Sequence, residues 1–197
     1  MQIDQLDDRI VYYKNALDNP YSLIEYIENL DSSLSDNSPL TKWEEWYAYQ
    51  SEYSFGKQKK FSYNEITDND LPNAYECSYI LNELKNAIMA GANHYIENIE
   101  SDVGFLNPLS ISKYGEGKMM GPHVDAHNDD PTKTISCVLY LNDNYTGGEL
   151  NFPDKNIMIK PEAGSLVIFP SKVLHESKIL LSGTKYMSPG FWNKYTY

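Results

Sequence analysis

The sequence predicts a mostly β domain, a sandwich or small barrel supported by helices on its N-terminal side, and three features lead there. Across residues 109–191 the chain is a series of short β-prone runs broken by Gly, Asn, Asp and Pro, the pattern of antiparallel strands joined by tight connections. Upstream of them, two segments carry apolar residues at helical spacing. The length of 197 residues, 41% hydrophobic and 22% charged, suits one globular unit that buries a core without disulfides or a structural metal. We therefore expect a single domain over 1–197, with helical support over about 1–105 and the β core over about 106–197.

In chain order, residues 10–13 form a short β-type run, and Pro20 then opens a helix with Leu23, Ile24, Ile27 and Leu30 on one face. Residues 31–39, rich in Ser, Asp and Asn, are expected as a loop. Trp43, Trp46 and Tyr47 follow at near-helical spacing and are assigned to the core rather than to a ligand groove. Residues 70–100 hold Leu71, Tyr75, Ile80, Leu84, Ile88 and Ile96 behind plausible cap residues, as one long helix or two in tandem. His94 inside this stretch is taken as a packing or surface residue and left out of any site. The strands expected beyond it are 109–114, 134–141, 149–152, 157–159, 165–169 and 185–191.

The formal charge of -12, with Arg9 as the only arginine, argues against a nucleic-acid partner, because phosphate backbones are bound by clustered Lys and Arg. No apolar run approaches the roughly 20 residues of a membrane span, and Met1-Gln2-Ile3-Asp4 is not followed by a leader-like stretch. A cytoplasmic protein without membrane partners is the expectation. Cys77, in a predicted helix, and Cys137, in an apolar strand, fit two buried free thiols in a reducing compartment.

The chemistry gathers in the β-rich half. His123-Val124-Asp125 places two ligand-type side chains two positions apart, which in extended backbone puts both on one face. His175 comes 50 positions after Asp125, just past a predicted strand, so a sheet of hairpins can return it to the first pair. Two imidazoles and one carboxylate on one face of an octahedron leave three positions open, the set associated with non-haem Fe(II) oxygen chemistry. A structural zinc site would instead be closed by four ligands and often uses cysteine, whereas Cys137 sits in an apolar strand. Lys185, ten positions after His175 in a β-type run, needs an anion if it points inward, and the far carboxylate of a dicarboxylate would supply one. Tyr114 and Tyr140 are candidates to complete that pocket, chosen by position from 17 tyrosines.

Tyr114 with Gly117, His123-x-Asp125, Tyr140-Leu141-Asn142, Gly147-Gly148-Glu149-Leu150, Phe152-Pro153, Pro161-x-x-Gly164, Phe169, His175 and Gly183-x-Lys185 together resemble the prolyl 4-hydroxylase-like branch of the Fe(II)/2-oxoglutarate dioxygenases. The resemblance spans roughly residues 109–192. It implies a double-stranded β-helix, or jelly roll, flanked by N-terminal helices. It also implies iron held by His123, Asp125 and His175, which act catalytically through the metal, and 2-oxoglutarate anchored by Lys185 with Tyr140 helping and Tyr114 near it. The implied reaction hydroxylates a C–H bond of a peptidyl substrate, prolyl among the candidates, or of a free amino acid, using O2 and releasing succinate and CO2. Ascorbate is carried as a further candidate cofactor. Gly147-Gly148 is expected in a tight turn with positive φ, and Ser188-Pro189-Gly190 departs from the family's usual uninterrupted strand, so a bulge is expected there and the role of Trp192 is left open.

Two rival readings come from other classes. An oxygenase acting on alkylated nucleic-acid bases is disfavoured by the acidic charge and by Lys185 where that group would carry arginine. A jelly-roll domain that binds metal without turnover is disfavoured by the intact set His123, Asp125, His175 and Lys185.

Overall fold

The structure, a computed structural model, describes residues 1–33, 43–45, 57–61, 71–100, 103–126 and 132–194. In chain order its elements are β1 (Gln2–Asp7), β2 (Ile10–Lys14), α1 (Pro20–Ser33), β3 (Glu44–Glu45), β4 (Lys57–Phe61), α2 (Leu71–Asn98), β5 (Phe105–Leu106), β6 (Leu109–Tyr114), β7 (Met120–His123) and β8 (Lys133–Tyr140). There follow β9 (Thr146–Gly147), β10 (Leu150–Phe152), β11 (Ile157–Ile159), β12 (Leu166–Pro170), β13 (His175–Ser177), β14 (Leu180–Ser182) and β15 (Lys185–Asn193). Among the described residues the strands make a large sheet in the order β1-β2-β12-β8-β15-β6-β4-β3, with β5 beside β15, and a smaller one in the order β11-β10-β13-β7. This is the jelly roll, and the N-terminal part contributes strands to the large sheet as well as helices.

Two apolar layers hold it together. Leu23, Ile27 and Leu30 of α1 and Ile80, Leu84 and Ile88 of α2 pack against Ile111, Ile135, Leu139 and Leu166 on the outer face of the large sheet. Each such aliphatic side chain removed from water contributes about 1.5–3 kcal/mol. The second layer lies between the sheets, where Tyr12, Tyr114, Val138, Tyr140, Phe169 and Met187 meet Leu150, Phe152 and Ile159. The period-2 alternation of β8 and β15 divides their side chains between these layers. Tyr140 and Met187 turn inward, while Leu139 and Trp192 turn toward the helices. Trp192 is therefore a core residue of the helix–sheet layer.

Several expectations shift. The second helical stretch is one helix, and α1 extends through Ser33, so Asp31–Ser33 belongs to a helix rather than a loop. Trp43 packs partly buried against the core, while Trp46, Tyr47 and the side chain of Cys77 lie outside the described residues. Cys137 is a buried free thiol. The expected bulge at Ser188-Pro189-Gly190 does not occur. Those residues pair in unbroken register with Leu139, Val138 and Cys137, and the irregularity falls between Trp192 and Asn193. Proline fits because β15 pairs with β6 only through Lys185–Met187, so the edge to which Pro189 would otherwise donate has no ladder at that point.

Gly147 and Gly148 make the expected tight turn, with φ of 77° and 69°. A Cβ on Gly147 would lie 2.3 Å from the Ile179 carbonyl oxygen. Gly147→Ala should lose about 2 kcal/mol or more in urea denaturation, from left-handed strain plus the clash. A loss below about 0.5 kcal/mol would show that the turn relaxes.

Candidate active site

His123 ends β7 and His175 begins β13, and the two are cross-strand partners in the smaller sheet, which brings their rings to 4.2 Å between centroids. Asp125 follows the end of β7, its backbone N–H donating to the Ser171 carbonyl at 2.9 Å. Its two carboxylate oxygens face the two imidazoles separately, Oδ1 at 3.5 Å from His123 Nε2 and Oδ2 at 3.5 Å from His175 Nε2. The ligand atoms of the three residues all lie within 4.8 Å of one another.

The tautomers are fixed by chemistry. His123 Nδ1 is 2.8 Å from the Gly121 carbonyl and His175 Nδ1 is 3.0 Å from the Val173 carbonyl. A carbonyl only accepts, so each Nδ1 carries the hydrogen, and each neutral ring directs a bare Nε2 toward Asp125. Burial works against charge on every member. It is outweighed at Asp125, whose carboxyl is held below its usual range by His123, His175 and the Ser136 hydroxyl. At His123, burial is likewise outweighed by Asp125 and the Gly121 carbonyl, which raise its pKa, whereas at His175 burial, aided by the neighbouring His123 imidazole, outweighs Asp125 and lowers the pKa. Phe169 packs edge-on against His175 at 4.6 Å, making one side of the cluster apolar. Two imidazole nitrogens with free lone pairs and one ionised carboxylate fit a divalent iron with coordination positions left over.

Lys185 opens β15 opposite Tyr114 of β6 and is 1% exposed. Its ammonium donates to the Gly148 carbonyl at 2.6 Å and to Ser177 Oγ at 2.8 Å. The rings of Tyr140, Tyr114 and Tyr145 surround it at 5.2, 5.8 and 5.9 Å. Burial pulls its pKa down to about 7, with the charge of Glu149 opposing. Ser177 lies two residues beyond His175 on β13, so the lysine pocket and the imidazole cluster are joined by one strand, about 7 Å apart along it.

The structure thus gathers His123, Asp125 and His175 in one cluster and Lys185, Tyr140 and Tyr114 in an adjoining pocket. His94, left out of the site, is engaged elsewhere with the Tyr13 hydroxyl at 3.1 Å. Ser177, the Gly148 carbonyl and Tyr145 were not anticipated. For Ser177 a signal existed, since it shares a strand face with His175.

Residues 109–193 match the model of the 2OG-Fe(II) oxygenase superfamily, whose members use Fe(II) and 2-oxoglutarate. Among curated relatives, the chain is similar to a PKHD-type hydroxylase of Acaryochloris marina, 32% identical over 121 residues, covering 58% of this chain and 54% of the relative. It also resembles a PKHD-type hydroxylase of Cupriavidus pinatubonensis, 36% identical over 96 residues, covering 43% of this chain and 42% of the relative. The chain thus matches about half the length of these relatives. A solved Pseudomonas putida prolyl-4-hydroxylase shares the fold, with a TM-score of 0.67 at 19% identity, covering 95% of this chain and 93% of that one. So does the viral collagen prolyl hydroxylase of Paramecium Bursaria Chlorella virus-1, with a TM-score of 0.63 at 15% identity, covering 95% and 97%. Among the described residues no helix is long and apolar enough to cross a membrane.

Proposed function

We propose that this chain is an Fe(II)- and 2-oxoglutarate-dependent hydroxylase, with His123, Asp125 and His175 as the metal ligands and Lys185, Tyr140 and Tyr114 around the cosubstrate. The observation that carries this reading is the link along β13, which sets an open metal-type cluster one dicarboxylate's length from a buried cation. Iron and 2-oxoglutarate, when bound, supply the oxidising power that inserts one oxygen atom of O2 into a C–H bond, with succinate and CO2 released.

The protein's part is placement. The Gly121 and Val173 carbonyls hold both imidazoles in the ligand tautomer, and the ionised Asp125 supplies the third donor. The Lys185 ammonium neutralises the far carboxylate in a pocket closed to water by tyrosine rings, which sets the 2-oxo end toward the metal cluster. Phe152 and Phe169 wall the cluster with apolar surface.

The substrate class we infer is a peptidyl residue, prolyl among the candidates, or a free amino acid. The relatives' names support hydroxylation, and a peptidyl substrate is suggested by a structural neighbour of Trichoplax adhaerens described as a prolyl hydroxylase in complex with a hypoxia inducible factor peptide fragment. The chain's charge of -12 supports a substrate other than nucleic acid. Cytoplasmic residence is proposed from the free buried Cys137. The test is anaerobic reconstitution with Fe(II) and 2-oxoglutarate, followed by O2 with proline-containing peptides or amino acids, with and without ascorbate. A visible charge-transfer band, succinate and a mass gain of one oxygen are expected. Metal binding without succinate would leave a non-catalytic binding domain instead.

A further inference from the structure

Tyr145 lies in the segment between β8 and β9, a short way beyond Tyr140. It is 6% exposed and packs in the layer between the sheets. Its hydroxyl is buried, and among the described residues it has no hydrogen-bond partner, although a phenol removed from water is normally satisfied. Burial pushes its pKa up, with Asp143 and Glu149 adding to the effect, so the group is a neutral O–H donor at physiological pH.

Its surroundings are those of the lysine pocket. The ring centroid is 5.9 Å from Lys185 Nζ, and a Cβ on Gly148, whose carbonyl accepts from that ammonium, would lie 3.4 Å from the Tyr145 ring. A carboxylate entering this pocket offers about four acceptor positions, whereas Lys185 already spends two of its three donors on Gly148 and Ser177. One remaining ammonium proton does not satisfy a buried carboxylate, and further donors are required.

We propose that the Tyr145 hydroxyl donates a hydrogen bond to the distal carboxylate of 2-oxoglutarate, making Tyr145 a determinant of cosubstrate selectivity alongside Lys185. This rests on the hydroxylase reading above. No covalent step is involved, and the ligand supplies the partner that the buried hydroxyl otherwise lacks.

The test compares wild type with Tyr145→Phe, both loaded with Zn(II) so that no turnover occurs, by calorimetric titration with 2-oxoglutarate and with 2-oxopentanoate, which lacks the distal carboxylate. Hydrogen bonds to charged groups are strong enough that 2-oxoglutarate should bind Tyr145→Phe at least about tenfold more weakly. Binding of 2-oxopentanoate should be unchanged, so the preference for the dicarboxylate narrows by the same factor. Melting of the ligand-free variant should match or exceed wild type, since an unsatisfied buried hydroxyl is removed. Equal weakening of both ligands, or a destabilised ligand-free variant with unchanged 2-oxoglutarate affinity, would make Tyr145 a packing residue and overturn the proposal. If wild type binds neither ligand, the hydroxylase reading fails and this inference falls with it. Binding by wild type with no change in the variant overturns the inference alone.

Discussion

Lys185→Met should abolish detectable 2-oxoglutarate binding while making the ligand-free protein more stable near neutral pH. The side chain is 1% exposed and fills the centre of the pocket between the sheets, where an unbranched apolar chain of similar length fits. Removing one partner of a buried charge pair costs about 2–5 kcal/mol, an affinity loss of at least about thirtyfold. The opposite effect on stability follows from desolvation, which lowers the lysine pKa to about 7 in the fold against an ordinary value near 10.4 in the unfolded chain. Because the folded pKa is the lower one, the unfolded state holds the extra proton between about pH 7 and 10.4, and wild-type stability rises with pH across that window. The cost of burying the ammonium is fully present below about pH 7 and gone above about 10.4. The gain from methionine should therefore be greatest near pH 6.5 and shrink or reverse near pH 10, where the neutral amine still donates to Gly148 and Ser177. Urea melts at the two pH values, paired with calorimetric titration of 2-oxoglutarate, read both effects. Equal destabilisation at both pH values would show that Lys185 is a structural residue.

His175→Ala should lose metal binding altogether. The ring is 6% exposed, supplies one of the two directed Nε2 atoms, and is the cross-strand partner of the other imidazole. Without it two donors remain, and metal affinity should fall by at least about 100-fold, beyond the 10–100-fold typical of losing an outer-shell partner. Wild type should melt higher in the presence of Fe(II) or Mn(II), by about 2.7 kcal/mol of added stability at a metal concentration 100 times the Kd, and the variant should show no such rise. The metal-free variant should itself lose about 2–3 kcal/mol, because the ring packs against Phe169 at 4.6 Å and its removal leaves a cavity. An unchanged metal-dependent rise in melting temperature would remove His175 from the ligand set.

Much of this was legible in the chain. The helical spacing of Leu23, Ile27 and Leu30 and of Ile80, Leu84 and Ile88 identified the two faces that cover the large sheet, and all of these side chains are buried. The β-prone runs at β6, β8, β11, β12 and β15 were read within a residue or two of their ends, because each concentrates apolar and β-branched residues between turn-forming ones. β1, β7 and β13 were not read. Met120-Gly121-Pro122-His123 carries Gly and Pro and no alternation, and β13 is three residues long, so neither has a local reason to be extended. They become strands by pairing with each other, which is a tertiary event. Proline at 189 misled in the other direction, since a local rule against proline in strands does not know which edge of β15 is left without a ladder.

The site divides in the same way. The residue types and their order, His-x-Asp, a later His and a lysine ten positions on, determined by themselves that a metal and a dicarboxylate could be held, since those chemistries need those side chains. Which atoms face one another was decided by the tertiary structure. Cross-strand register set His175 beside His123, backbone carbonyls chose the tautomers, and the closure of two sheets buried Lys185 among three of the chain's 17 tyrosines. Tyr145 is the clearest case. Nothing in a tyrosine-rich chain distinguishes it, because its hydroxyl acquires meaning only when folding removes water from it and leaves it, among the described residues, without a partner beside a buried cation.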